Sequence, residues 1–136
     1  MSILAWDKNI ILDHPIIDQQ HQKLVILVNE FYEAIRKKEA NSAIMELLQG
    51  LIDYTEFHFK DEQNLMRLNQ YPDYLPHVSE HRKFVAHVAD CYTRISEGKL
   101  VISLEITSFL RSWLVEHIKV TDKKLCTFLA QKSGKQ

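Results

Sequence analysis

Apolar residues recur along the chain at intervals of three and four rather than in alternation. In IDQQHQKLVILVNEFYEAIRKKE they fall at 24, 25, 28, 31, 32 and 35, a spacing that puts one stripe on one face of an α-helix. Asp18 is a good N-cap, and the basic residues 36 to 38 suit a C-terminal end. A first helix is predicted over about residues 18 to 39. A second stripe runs through 44, 47, 48, 51, 54, 58, 62 and 65, starting after Asn41 or Ser42 and ending before Tyr71-Pro72. Gly50 lies inside it and reads as a close helix contact. A third helix is predicted from about Pro76 to Ser96, with Pro tolerated in the first turn and Gly98 as the stop. Ser103 can cap a fourth, with Glu105 favourable near its start, and its pattern lasts to about Leu129.

Helices of roughly 20 to 28 residues joined by short connections close a core as an up-down-up-down antiparallel four-helix bundle. The expected class is therefore all-α, with residues before Asp18 forming an N-terminal arm. The chain has 136 residues, with 3 glycines, 3 prolines, no internal repeat and no low-complexity linker. This suits one domain over residues 1–130, with QKSGKQ, residues 131–136, as a disordered tail.

Charge narrows the partners. Lys plus Arg number 17 and Asp plus Glu 18, a formal net charge of -1, so no electrostatic footprint for nucleic acid or an anionic membrane is present. The basic residues at 36 to 38, 119, 123 and 124 read as solvated helix faces. No apolar run approaches the roughly 20 residues of a membrane span, and the N-terminus lacks the pattern of a signal peptide. Cys91 and Cys126 are far apart without a CxxC spacing, so both are expected as free thiols. A cytoplasmic monomer is the expectation.

The apolar stripes are interrupted by ligand-type residues. Residues four apart on a helix differ by about 40°, so His58 with Glu62, and His77 with His81, each make a two-pronged claw. His21 lies at the start of the first helix, and His117 and Asp122 lie toward the end of the fourth. Alternate helices of the bundle run in opposite directions, which brings all seven to the same end. A lone histidine on an apolar stripe is usually a hydrogen-bonded core residue. Seven such groups facing one cavity cannot satisfy one another cheaply, because a buried carboxylate without a cation costs several kcal/mol. A metal site is the simpler account. His14 and His87 fail the geometric test and read as surface or boundary residues.

Five imidazoles and two carboxylates exceed the four ligands of a structural zinc site, which points to two metals. If the carboxylates and a solvent-derived oxygen bridge two six-coordinate ions, one of the twelve coordination positions stays open to a small ligand. Imidazole with carboxylate at such a position suits iron. His117 and Asp122 are five apart, about 140° around an ideal helix, so a local π-type distortion or a reaching Asp122 side chain is expected.

The set HxxxE, HxxxH and HxxxxD, with an earlier histidine and the connecting text HFKDEQNLM and YPDYLPHVSEHRKF, resembles the hemerythrin family and closely its stand-alone bacterial members. The resemblance covers the chain from Trp6 to about Leu129. It implies two iron ions with an oxo or hydroxo bridge: His77, His81 and His117 would hold one, His21 and His58 the other, and Glu62 and Asp122 would bridge them. The open position would fall on the second iron and bind dioxygen reversibly, for transport, storage or delivery. Leu24, Phe59, Trp113, Leu114 and Ile118, beside or one turn from ligands, resemble the family's apolar lining.

Two carboxylates and a hydroxide leave a diferrous pair with a charge of roughly +1, whereas carboxylate-richer di-iron sites with paired ExxH motifs better stabilise high-valent states. Binding is thereby favoured over oxygen activation, and the chain is expected not to be an enzyme. A di-iron redox enzyme that reduces peroxide or nitric oxide is the second reading, and an oxygen, redox or iron sensor module the third. Beyond dioxygen, an oxygen-consuming enzyme or a reductant is the partner these readings allow.

Overall fold

The computed structural model describes residues 3–99 and 102–133. Its elements are α1 (Pro15–Arg36), α2 (Asn41–Leu68), α3 (Tyr74–Ser96), α4 (Leu104–Glu116), a π-helical turn (His117–Asp122) and α5 (Lys123–Lys132). The last three run on without a break and form the fourth rod of an antiparallel four-helix bundle. Helix α1 packs on α2, α2 on α3, and α4 on α1. The buried positions of α1 are Ile17, His21, Leu24, Val25, Val28, Phe31 and Ala34, steps of three and four that generate one inward stripe. The core is continued by Leu48, Leu51 and Met66 of α2, Phe84 and Val88 of α3, Leu110 and Leu114 of α4, and Leu125 of α5.

The N-terminal arm is held by side chains of the bundle. Asn29 Oδ1 accepts from the backbone N–H groups of Ile3 and Leu4, both at 3.0 Å, and Asn29 Nδ2 donates to the Leu4 carbonyl at 2.8 Å. Arg111 Nε donates to the Ile3 carbonyl at 2.8 Å. Leu4, Ile10 and Leu12 are thereby buried.

Helix boundaries differ from the sequence expectation for identifiable reasons. Helix α1 starts at Pro15, three residues early, because His14 caps it: its Nδ1 accepts from the Ile17 N–H at 3.2 Å. Asp18, expected as the cap, instead accepts from the N–H groups of Leu12 at 2.9 Å and His14 at 3.2 Å, tying the arm to the first turn. The helix ends at Arg36 because Lys38 turns to a φ of 56°, and the Glu39 N–H closes back on the Ala34 carbonyl at 3.0 Å. Helix α3 begins at Tyr74, which keeps Pro76 within the first turn. The fourth rod continues to Lys132, whose Nζ donates to the Asn69 carbonyl at 2.6 Å. Gln131 and Lys132, expected in the tail, are therefore helical, and residues 134–136 lie outside the described residues.

Gly50 makes no close helix contact. It is exposed, and a Cβ built on it meets nothing within 4 Å. Gly50→Ala is therefore expected to stabilise the chain by about 0.5–1 kcal/mol, since alanine loses less backbone freedom in a helix. Urea denaturation checks this; an unchanged or lower midpoint would show that the glycine has a structural use there.

Candidate metal centre

The antiparallel arrangement puts the start of α1, the end of α2, the start of α3 and the π-turn at one end of the bundle. There His21, His58, Glu62, His77, His81, His117 and Asp122 converge, none more than 3% exposed. All seven predicted positions meet in one cluster, and the five-residue spacing of His117 and Asp122 is accommodated as expected. The π-turn spans both residues, with the Lys123 N–H reaching back five residues to the Ile118 carbonyl, a widening that turns both side chains inward.

Glu62 and Asp122 lie at the middle. Glu62 Oε1 is 2.7 Å from His77 Nε2 and 3.1 Å from His81 Nε2, and Glu62 Oε2 is 3.4 Å from His58 Nε2. Asp122 Oδ1 is 3.1 Å from His77 Nε2 and 3.2 Å from His117 Nε2, and Oδ2 is 3.0 Å from His21 Nε2. Two overlapping groups result. One comprises Glu62, His77, His81, His117 and Asp122, the other His21, His58, Glu62 and Asp122, each with ligand atoms within 4.8 Å of one another. The two carboxylates belong to both.

His77 Nε2 and Glu62 Oε1 form a hydrogen bond at 2.7 Å, but several of the other short separations are not aligned as hydrogen bonds. His21 Nε2, Glu62 Oε2 and both Asp122 oxygens are buried without an aligned partner, although each has an oppositely chargeable atom within 4 Å. His81 Nε2 and His117 Nε2 face each other at 3.1 Å. Buried polar atoms are almost always paired, so lone pairs aimed at common points instead of at one another fit an absent cation. Ligand atoms at right angles on an ion with bonds of about 2.1 Å are about 3.0 Å apart, close to the separations found. The residues present therefore fit a pair of metal ions.

Several outer contacts were not foreseen from the sequence. Gln20 Oε1 is 2.6 Å from His58 Nδ1, and Gln20 Nε2 donates to Asp61 at 2.8 Å. Gln63 Nε2 lies 3.2 Å from His81 Nδ1. Glu80 Oε1 accepts from His117 Nδ1 at 2.8 Å, and Thr121 Oγ1 donates to the same carboxylate at 2.8 and 3.0 Å. The available signal was that an imidazole ligating through Nε2 needs a partner for Nδ1; Gln20, Gln63 and Glu80 are polar residues adjacent in sequence to, or one position from, Glu62 or a histidine of the cluster.

Mutual contact sets the protonation of the metal-free cluster. Burial and the charge of Asp122 push Glu62 up, but the close contacts of His58, His77 and His81 outweigh them and hold it below the ordinary carboxylate range. Burial also raises Asp122, and the charge of His117, with the close contacts of His117, His21 and His77, carries it well below. His77 is pushed down by burial yet held up at about 9 by Asp122 and Glu62. His117 is likewise opposed by burial but raised to about 10 by Asp122 and Glu80. His81, where burial prevails, drops to about 4.

Aromatic rings stack on two histidines of the cluster. Phe59 stacks on His81 with ring centroids 3.7 Å apart, and Trp113 on His117 at 4.4 Å. Leu24, Leu114 and Ile118 are buried. His14 is taken up as the α1 cap, and exposed His87 lies against Phe109 with ring centroids 4.0 Å apart. Cys126 is a buried free thiol and Cys91 a half-buried one.

Fold and cluster together define an all-α bundle with a shared histidine and carboxylate centre at one end. The family model for the hemerythrin HHE cation binding domain matches residues 13–129. A bacteriohemerythrin of Methylococcus capsulatus is 35% identical over 78% of this chain and 80% of its own length. One from Stenotrophomonas maltophilia is 31% identical over 90% and 79%. A crystal structure of wild-type hemerythrin superimposes with a TM-score of 0.87 at 30% identity, covering 95% of this chain and 99% of that one. The chain belongs to the hemerythrin family.

The metal-free chain is expected to be most stable near pH 6.5. An unfolded imidazole loses its proton near 6.5, so the contribution of His77 and His117 is complete below that value and is lost as pH rises through 9 to 10. Glu62, Asp122 and His81 act oppositely. The contribution of His81 is present above 6.5 and lost as pH falls to about 4; those of the carboxylates are lost on further acidification. Each group changes stability by at most about 1.4 kcal/mol per pH unit. Denaturation after chelation measures the curve, and constant stability from pH 6.5 to 10 would rule out this charge pattern.

Proposed function

We propose that this chain binds dioxygen reversibly at a carboxylate-bridged di-iron centre, for transport, storage or delivery, and is not an enzyme. The observation that carries the reading is the set of buried nitrogen and oxygen atoms that lie close together without aligned hydrogen bonds, in a chain of the hemerythrin family. His77, His81 and His117 would hold one iron and His21 and His58 the other, with Glu62 and Asp122 shared. Iron held there would supply the two electrons that reversible dioxygen binding draws on.

The protein's part is to hold this exchange in balance. With three histidines on one side and two on the other, the His21 and His58 side would be one protein ligand short, which would leave room there for a diatomic ligand. Leu24, Leu114 and Ile118, buried and without ionisable groups, exclude water and supply no proton. Phe59 and Trp113, stacked on His81 and His117, keep those rings from turning. Because Glu62 and Asp122 belong to both groups, two ions held there would be interdependent.

Iron analysis combined with optical spectra under argon, then in air, then under argon again tests the reading. Two irons per chain and an oxygen-dependent band that vanishes on flushing are expected. Irreversible conversion to a stable diferric spectrum would overturn it in favour of a redox enzyme or sensor. Glu62→Ala and Asp122→Ala are each expected to lose both irons, whereas His58→Ala is expected to retain the iron held by His77, His81 and His117. Retention of two irons in Glu62→Ala would refute the bridging assignment.

A further inference from the structure

The five imidazoles of the cluster all present Nε2 to its centre, so what distinguishes them is the partner of Nδ1. His58 Nδ1 faces the amide oxygen of Gln20, an acceptor, whereas His81 Nδ1 faces the amide nitrogen of Gln63, a donor. His21 Nδ1 and His77 Nδ1 are buried without a hydrogen-bond partner. His117 meets a carboxylate, Glu80, at 2.8 Å, and among the described residues it is the one histidine of the five whose Nδ1 does so.

The contact is built from two elements. Glu80 projects from α3, while His117 and Thr121 both belong to the π-turn. Thr121 Oγ1 lies 2.8 Å from Glu80 Oε1 and 3.0 Å from Oε2, which sets the carboxylate against His117. The group borders a surface depression of about 240 Å³, also lined by Trp113, Glu116 and Val120. Trp113 stacks on the His117 ring at an interplanar angle of 13°, leaving the ring little freedom to turn. A carboxylate that accepts from Nδ1–H fixes the tautomer with its lone pair on Nε2 and makes that nitrogen a stronger donor, as a neutral amide does less well.

We propose that Glu80 is a positioning residue of the centre: through His117 it strengthens the ion held with His77 and His81 and favours its oxidised state. The inference rests on the di-iron reading above. Two ions held there would then be unequal in donor strength as well as in ligand number, the electron-rich side being the one with three histidines. The ion with the open position then keeps weaker histidine donors, through His58 and its neutral Gln20 partner.

The test uses the full chain with Glu80→Ala, Glu80→Gln and Thr121→Val, each checked for helicity by circular dichroism. Co²⁺ titration under argon reads affinity without any oxygen chemistry. Glu80→Ala is expected to weaken one of the two Co²⁺ ions by about 10–100-fold. Glu80→Gln, which keeps an acceptor and loses the charge, is expected to lie within about tenfold of the native chain, and Thr121→Val between native and Glu80→Ala. In the iron-loaded protein Glu80→Gln is expected to raise the reduction potential, by about 59 mV for each tenfold loss of ferric preference in a one-electron couple. Co²⁺ affinities of Glu80→Ala and Glu80→Gln within twofold of native would overturn the proposal, as would an unchanged potential in Glu80→Gln. A native chain that takes up two Co²⁺ ions, yet shows no reversible oxygen band with iron, would sink the oxygen-binding reading and leave the Glu80 result to stand by the cobalt titration. Failure of the native chain to bind Co²⁺ would overturn both.

Discussion

The burial of Glu62 and Asp122 at the centre of the bundle end is the constraint around which the remaining structure is arranged. Two carboxylates removed from water and placed side by side repel each other and forfeit their hydration, at a cost of several kcal/mol each. Here they are surrounded by five imidazoles, and their oxygens sit 2.7 to 3.9 Å from ring nitrogens. Protons on His77 and His117 offset part of the charge in the metal-free chain, but several of these contacts are misaligned as hydrogen bonds. A pair of cations at the points where the lone pairs meet would satisfy the same atoms without that mismatch.

The bundle supplies the rigidity such a cluster requires. Cluster residues on four separate rods stay in register only if the rods cannot slide, and the stripe from Ile17 to Ala34 on α1, packed against α2 and α4, opposes sliding. The N-terminal arm, fastened to Asn29 and Arg111, adds apolar cover through Leu4, Ile10 and Leu12. The π-turn belongs to the same logic. A regular helix would turn Asp122 well away from His117, and the cluster would lose one of its two shared carboxylates. Thr121 of the same turn lies against Glu80, so a single local widening carries both a carboxylate of the cluster and an outer contact.

Much of this was legible in the chain itself. The four stripes, the end of the bundle at which the histidines and carboxylates gather and the seven positions of the cluster follow from helical periodicity and antiparallel packing, because both depend on spacing alone. The π-turn was signalled by the same means, as a spacing of five where four would have kept one face. Helix ends were less legible. Asp18 has the right chemistry for a cap, but its carboxylate is engaged by the arm, and His14 takes the role. Gly50 has the composition of a close contact, yet lies on a face that no neighbour approaches.

By itself, then, the sequence determined which residues share a face, which end of the bundle is polar, and which ligand types are available. Tertiary structure decided what each imidazole leans on: Gln20 of α1 for His58 of α2, Gln63 of α2 for His81 of α3, and Glu80 of α3 for His117 of the π-turn. Every one of these pairs crosses between helices. Periodicity along one helix specifies directions around its own axis, but the rotation and axial shift of one rod against the next are set by how side chains interlock across the interface, and only that fit determines which polar group stands behind which ring.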